Sequence, residues 1–253
     1  MAKEQFLRLS RLIGEENVVL LSHKCVSCVG VGAVGGFAIE ALARSGVGKI
    51  KIFDFDRVAE TNINRQIIAL HSTIGMLKTD VMKKRLIDIN PDIVVEDYPF
   101  FISDENHDIV FNGSDLVIDC IDSLKPKISL LSDAYNRNIP IISSMGAALR
   151  RDPTLVRYGD IMDSWGCPLA RQVRYGLRKN GVKHGIKCVF SPEKVDFSYV
   201  DPEHDDKAER IFNTNKKRAV LGSLPTITAI FGEYMAHLAL NTLLGNILVG
   251  KES

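Results

Sequence analysis

The run Gly30-Val31-Gly32-Ala33-Val34-Gly35 stands directly after a short β-rich segment, Lys24 to Val29, and before a helix-like stretch, Phe37 to Arg44. Strand, tight glycine turn and helix in that order leave the chain few architectures. The glycines permit a sharp turn and close backbone approach, and the helix start offers unpaired N–H groups to a phosphate. Asp54 follows the next alternating strand, Lys49 to Phe53, where a carboxylate can accept hydrogen bonds from a ribose hydroxyl. A nucleotide-binding βαβ unit is expected; a ligand-free turn of the same shape is the alternative.

The same alternation continues downstream. Thr79 to Ile89 has helical spacing and stops before Asn90-Pro91, and Ile93 to Tyr98 reads as a strand. Asp115 to Ile121 is a short, β-branched run expected to be a buried strand, Lys127 to Arg137 is amphipathic, and Ile139 to Ser143 is again a strand. Such spacing predicts an α/β fold: a Rossmann-like, mainly parallel sheet flanked by helices, with a smaller C-terminal extension. After Met145 the pattern changes, with strands expected at Leu155 to Tyr158 and Lys187 to Phe190, a polar crossover over Asp201 to Arg218, and a closing helix, Thr226 to Leu244. We read 1–253 as one domain, with a nucleotide-binding core over 1–146 and a substrate-binding insert, crossover and closing helix over 147–253.

Composition excludes several classes. With 253 residues, 45% hydrophobic and 25% charged, the chain matches an ordinary globular protein, and a net charge of +1 removes any global basic footprint. Nucleic acid would therefore have to meet a local patch. Met1 to Arg11 lacks the apolar core of a signal peptide. Ala219 to Leu244 is broken by Pro225 and carries Glu233 and His237, so a core helix is expected there, with membrane attachment as the alternative. Five scattered cysteines suggest reduced thiols and a cytoplasmic protein.

Asp56, Asn62, Arg65 and Lys78 lie just beyond the second strand, in reach of the same crevice. A dinucleotide's pyrophosphate is served by the helix start alone, whereas a triphosphate carries further charge that Arg and Lys neutralise. Asp122 follows the Asp115 to Ile121 strand at its carboxyl end, where a carboxylate facing a triphosphate suits Mg2+. Each also has a plain structural reading: solvated cations for Arg65 and Lys78, a helix cap for Asp122.

Together, Gly30 to Gly35, Asp54-Phe55-Asp56, Thr61-Asn62-Ile63-Asn64-Arg65-Gln66, Gly75-Met76-Leu77-Lys78 and Asp119-Cys120-Ile121-Asp122 resemble the adenylating domain of ubiquitin-activating-like, or ThiF-type, enzymes. The resemblance is strong over Arg8 to Gly146. It implies ATP bound by Gly30, Gly32, Ala33, Val34, Gly35, Asp54, Asp56, Thr61 and Ser123, with Asp54 on the ribose. Asn62, Arg65 and Lys78 would bind the phosphates and Asp122 would coordinate Mg2+. Arg11 looks like the arginine that family members insert into the partner subunit's ATP site, which implies a homodimer. Ala33 departs from the glycine usual in the family, which matters only if that position needs positive φ.

Relatives that adenylate sulfur-carrier proteins hold zinc on two C-x-x-C pairs. Here Cys25-Val26-Ser27-Cys28 lies within a strand that turns the two thiols to different faces, while Cys167 and Cys188 stand alone, so no structural zinc is expected. The second half instead resembles the tRNA threonylcarbamoyladenosine dehydratases, through Arg11-Leu12-Ile13-Gly14, Ile87-Asp88-Ile89-Asn90-Pro91, Asp152-Pro153-Thr154, Pro168-Leu169-Ala170 and Cys188-Val189-Phe190-Ser191. That likeness implies ATP-dependent dehydration of a threonylcarbamoyl group on the tRNA adenosine beside the anticodon, through a carboxyl-adenylate. A sulfur-transfer partner protein is among the partners it allows. Arg171, Arg174, Arg178 and Lys179, continued by Lys183 and Lys187, form the local basic run that a phosphate backbone would favour; a solvated helix face is the alternative. Cys188 is expected to be a packed thiol rather than a nucleophile, and Asp119 and Cys120 strand residues rather than catalysts. Two other functions stay open: adenylation of a ubiquitin-like carrier's C-terminus, and an NAD-binding oxidoreductase or sensor.

Overall fold

A computed structural model describes residues 3–195, 209–210, 217–218 and 221–248. Seven strands form one sheet: β1 (Cys25–Val29), β2 (Lys49–Phe53), β3 (Val94–Tyr98), β4 (Leu116–Asp119), β5 (Ile141–Ser144), β6 (Arg157–Asp160) and β7 (Lys187–Phe190), in the order 3-2-1-4-5-7-6. All neighbours run parallel except β6, which is antiparallel to β7. Strand order reverses between β1 and β4, and in open α/β sheets ligands bind outside the carboxyl ends at that point.

Among the described residues the α-helices are α1 (Leu7–Ile13), α2 (Glu15–Ser22), α3 (Gly35–Arg44), α4 (Lys78–Ile89), α5 (His107–Phe111), α6 (Leu124–Asn136), α7 (Pro168–Lys179) and α8 (Pro225–Leu243). Helices cover both faces of the sheet, so its central strands are buried throughout rather than on alternate residues. Leu116 and Ile118 of β4 join one core with Ile39, Leu42, Met82 and Phe231. Val117 between them enters the opposite core with Phe111, Leu130 and Val173. The period-2 geometry of a strand thus splits one apolar run between two cores.

Several predicted boundaries shift. The expected strand over Leu155 to Tyr158 begins later: Pro153–Leu155 is a 3-10 turn capped by Asp152, and β6 spans Arg157–Asp160. Proline fixes φ and removes a donor, which favours the turn over the sheet. The helix expected from Lys127 starts at Leu124 with Pro126 in its first turn, where a missing N–H leaves no bond unmade. The polar crossover, Asp201 to Arg218, lies outside the described residues except for 209–210 and 217–218.

The closing helix α8 is a core wall. Gly232 lets it press on α3: a Cβ there would lie 2.6 Å from Phe37 Cβ and 2.7 Å from the Val34 carbonyl. Among the described residues no helix is long and apolar enough to cross a membrane. At the opposite edge the N-terminal segment docks far from the glycine turn, with the Phe6 ring against Gly46 after α3 and Gln5 donating to Asn90 after α4.

Candidate active site at the carboxyl edge of the sheet

Gly30 ends β1 with φ +93°, and a Cβ there would strike the Cys120 carbonyl at 2.8 Å, so the β1 and β4 ends touch through it. Gly35 opens α3 against the Gly30 carbonyl, which a Cβ would approach to 1.9 Å. Both glycines are required by the protein's own packing. Gly32 is different. A Cβ there would sit 3.6 Å from the Gln66 amide, an ordinary contact, and its backbone is not in the left-handed region. Its small size leaves the turn open to an outside group, which is what a phosphate needs. Ala33 is likewise not among the positive-φ residues, so its departure from glycine costs the turn nothing.

Asp54 stands at the β2 end. Its Oδ2 accepts from Val31 N–H at 2.9 Å and its Oδ1 from Asp56 N–H at 2.9 Å. Burial pushes its carboxyl above the ordinary range, opposed by the Lys78 charge. The side chain therefore ties the glycine turn to β2 and faces the same crevice. Lys78, 4% exposed at the start of α4, donates to Asp56 Oδ2 at 2.9 Å. A buried ammonium paired with a carboxylate is not a solvated cation, so the plain reading of Lys78 as a surface cation fails.

Asn62 is buried, and its Oδ1 accepts from Ala59 N–H at 3.1 Å, closing a 3-10 turn over Glu60–Asn62. That turn presents Thr61, whose carbonyl accepts from Arg65 Nη1 at 2.8 Å. Arg65 also donates to Asn64 Oδ1 at 2.8 Å, which orients its guanidinium. At the β4 end Asp122 precedes Ser123, the residue at the N-cap of α6, and accepts from the Ser123 hydroxyl at 3.3 Å. Asp122 is thus not the cap its plain reading made it. The strand ends bring the glycine turn, Asp54, Asp56, Lys78 and Asp122 to one edge.

Arg11 does not join them. It is exposed on α1, and the segment leading into α1 docks at the amino edge. Beside it Leu12 is 82% exposed.

Residues 5–252 match the ThiF family. The chain belongs to the ThiF family. It is 46% identical over 190 residues to the tRNA threonylcarbamoyladenosine dehydratase of Bacillus subtilis, covering 75% of each chain. Over 244 residues it is 35% identical to the Escherichia coli protein of the same name, covering 91% of this chain and 90% of that one. The crystal structure of the E. coli tRNA N6-threonylcarbamoyladenosine dehydratase in complex with ATP superimposes with a TM-score of 0.84 at 32% identity, covering 98% of this chain and 97% of that one.

The residues of this ThiF-family chain fit a nucleotide. Gln66 Oε1 is buried without a hydrogen-bond partner beside Gly32, an acceptor suited to a donor on a bound nucleotide. Gln66 escaped the residue-by-residue reading, although it sits four positions after Asn62, one helical turn on. A Gly32→Ala variant is expected to fold normally and to lose on the order of 100-fold in kcat/KM, because about 1 Å of displacement in a phosphate cradle costs that much. Thermal melting and ATP titration together check this.

Beneath the edge lies a buried ion pair. Lys127 and Asp119 are fully buried, with Nζ 2.6 Å from Oδ2. Lys127 also donates to Ser143 Oγ at 3.2 Å and the Ser144 carbonyl at 3.0 Å, while Asp119 Oδ1 accepts from Ile121 N–H at 3.0 Å. A buried pair survives when its remaining hydrogen bonds are satisfied, as these are. The network locks the Cys120-Ile121-Asp122 loop to the floor of the crevice. Its signal was a lysine on the apolar face of an amphipathic helix, in register with Leu131 and Ala134.

Cys188 is fully buried, and burial pushes its thiol up to about 12. It stays a neutral thiol at neutral pH, with Lys187 directed instead to Thr242 at 3.3 Å. Packing, not nucleophilicity, is its role. A Cys188→Ala variant is expected to retain turnover, and the native thiol to resist Ellman's reagent at pH 8 until denaturant is added.

The basic run divides. Arg171, Arg178 and Lys179 are exposed on α7. Arg174 is half-buried and donates to Ser164 Oγ at 2.6 Å, so it braces a loop instead of facing solvent.

Proposed function

We propose that this chain catalyses the ATP-dependent dehydration of the threonylcarbamoyl group on the tRNA adenosine beside the anticodon. The observation that carries the reading is the cluster of Gly32, Asp54, Lys78 and Asp122 at the carboxyl edge, in a chain matching dehydratases of that name over nine-tenths of both lengths. The group's carboxylate oxygen attacks the α-phosphorus of ATP, and the bond to the β-phosphate breaks to release pyrophosphate. The modification's own ureido or amide group then attacks the activated carbonyl, AMP leaves, and the net change is loss of water.

Within this scheme Asp54 holds the ribose, while Arg65 and Lys78 neutralise charge developing on the phosphates. Asp56 keeps Lys78 aimed into the crevice at 2.9 Å. Mg2+ held by Asp122 would supply further positive charge at the phosphates. No protein nucleophile is needed, in keeping with the buried Cys188. Arg11 and exposed Leu12 on α1 support a homodimer in which each α1 completes the partner's site. Arg171, Arg178 and Lys179 on α7 would meet tRNA phosphates, with Arg174 acting through Ser164. Five free thiols suit a reducing cytoplasm.

The test is to incubate the protein with ATP, Mg2+ and either tRNA bearing the threonylcarbamoyl group or a ubiquitin-like sulfur carrier, and to measure AMP and pyrophosphate. Release driven by the modified tRNA, and lost in Arg65→Ala, is expected. Stimulation by the carrier protein alone would overturn the assignment.

A further inference from the structure

The carboxyl edge extends past the nucleotide cluster. In the function proposed above Asp54 at β2 would hold the ribose and Asp122 at β4 the metal, so the phosphates would lie at the glycine turn after β1 and the β5 and β7 ends would be left to the acyl substrate. At the end of β7 the chain displays an indole. Trp165, the single tryptophan of the sequence, is 57% exposed, with its ring centroid 5.0 Å from that of Phe190 at 71°. Its loop is anchored on both sides. Ser164 is buried, donating to the Ile161 carbonyl at 2.7 Å and accepting from Arg174 at 2.6 Å. Gly166 has φ +69°, and a Cβ there would meet the Pro192 backbone at 2.5 Å, so only glycine lets the loop lie against the chain leaving β7. Cys167, next along, is buried.

An indole fixed by a braced loop with more than half of its surface open offers a flat face to a partner, and its surroundings indicate which. Through Arg174 the loop is joined to α7, whose exposed face carries Arg171, Tyr175 and Arg178 at helical spacing, with Tyr175 63% exposed. Lys179 Nζ lies 4.5 Å from the Tyr175 ring centroid. Gly176, in the last turn of α7, rests on Ile128 in the second turn of α6, the helix that starts two residues after Asp122. Exposed aromatic rings interleaved with cations suit a single-stranded RNA loop, whose unstacked bases lie on aromatic faces while its phosphates meet Arg and Lys.

The geometry points to Trp165 as a stacking site for a nucleobase of the anticodon loop, next to the base whose modification enters the crevice. This inference rests on the function proposed above and adds a residue to it: Arg and Lys on α7 position the phosphates, while Trp165 receives a base. Trp165 is a binding residue and takes no part in the chemistry.

Because the chain has one tryptophan, its emission reports this site alone. The experiment titrates the full-length protein with an anticodon stem-loop bearing the threonylcarbamoyl group. Saturable change in tryptophan fluorescence is expected, with the same Kd as filter binding. Trp165→Ala is expected to raise the KM for the modified tRNA by roughly ten- to a hundredfold, with the KM for ATP and the melting temperature unchanged, and Trp165→Phe to recover most of the loss. Two results would overturn the stacking site while leaving the function intact: a wild-type KM for tRNA in Trp165→Ala, or an emission unmoved by saturating RNA in an enzyme that turns over. An emission that responds to a sulfur-carrier protein and not to RNA would reassign the indole to protein docking and also overturn it. If the wild-type protein releases no AMP with modified tRNA, the functional reading has failed and the stacking site falls with it.

Discussion

Replacing Asp122 by asparagine is expected to lower kcat/KM for AMP release by about 10²–10³, without lowering the melting temperature. The asymmetry follows from where Asp122 sits. It is exposed at the head of α6 and accepts from Ser123 at 3.3 Å, so no core packing depends on its charge. Its carboxylate is what a divalent cation between protein and phosphates requires, and asparagine keeps the shape while removing the charge. The apparent half-saturation for Mg2+ should rise together with the fall in rate. A variant that turns over normally at sub-millimolar Mg2+ would remove Asp122 from the metal role. Arg65→Ala, assayed beside it, should lose rate with no change in Mg2+ dependence, because in the proposed reaction its charge would meet the phosphates without a metal between.

The second large effect lies one layer deeper. Asp119→Ala is expected to destabilise the fold by about 3–5 kcal/mol, because Lys127 is left as a buried charge with no carboxylate. For a chain of this length that corresponds to a drop in melting temperature of roughly 6–20 °C. Lys127→Met in the same background should restore much of the stability, since replacing both partners removes the uncompensated charge. It should not restore activity. Asp119 Oδ1 also accepts from Ile121 N–H at 3.0 Å, and that bond sets the loop from which Asp122 projects. A double variant as active as the wild type would show that the pair serves stability alone. Differential scanning calorimetry and pyrophosphate release separate the two readouts.

Gly30, Asp54 and Asp122 were legible as neighbours because each falls at or just after a strand end, and in a parallel sheet of alternating βαβ units all such ends share one edge, to which Lys78 returns at the start of α4. Periodicity alone implies that convergence. Gly32 could be named but not told apart from Gly30 and Gly35. Only the contacts a Cβ would make separate two glycines demanded by packing from one open to a ligand. The basic run on α7 was legible as charge, yet Arg174 belongs to a loop brace, because a helix shows its faces only when its neighbours are known.

By itself the sequence determined a mainly parallel sheet built from βαβ units and the glycine turn at the end of its first strand, since each rests on local spacing. The burial of Lys127 against Asp119 and the braced display of Trp165 were decided by tertiary structure alone. Both unite residues from separate elements: α6 with β4 and β5 in one case, the loop before α7 with the end of β7 in the other. Contacts of that kind have no period along the chain, and burial and partner are fixed only when the helices close over the sheet.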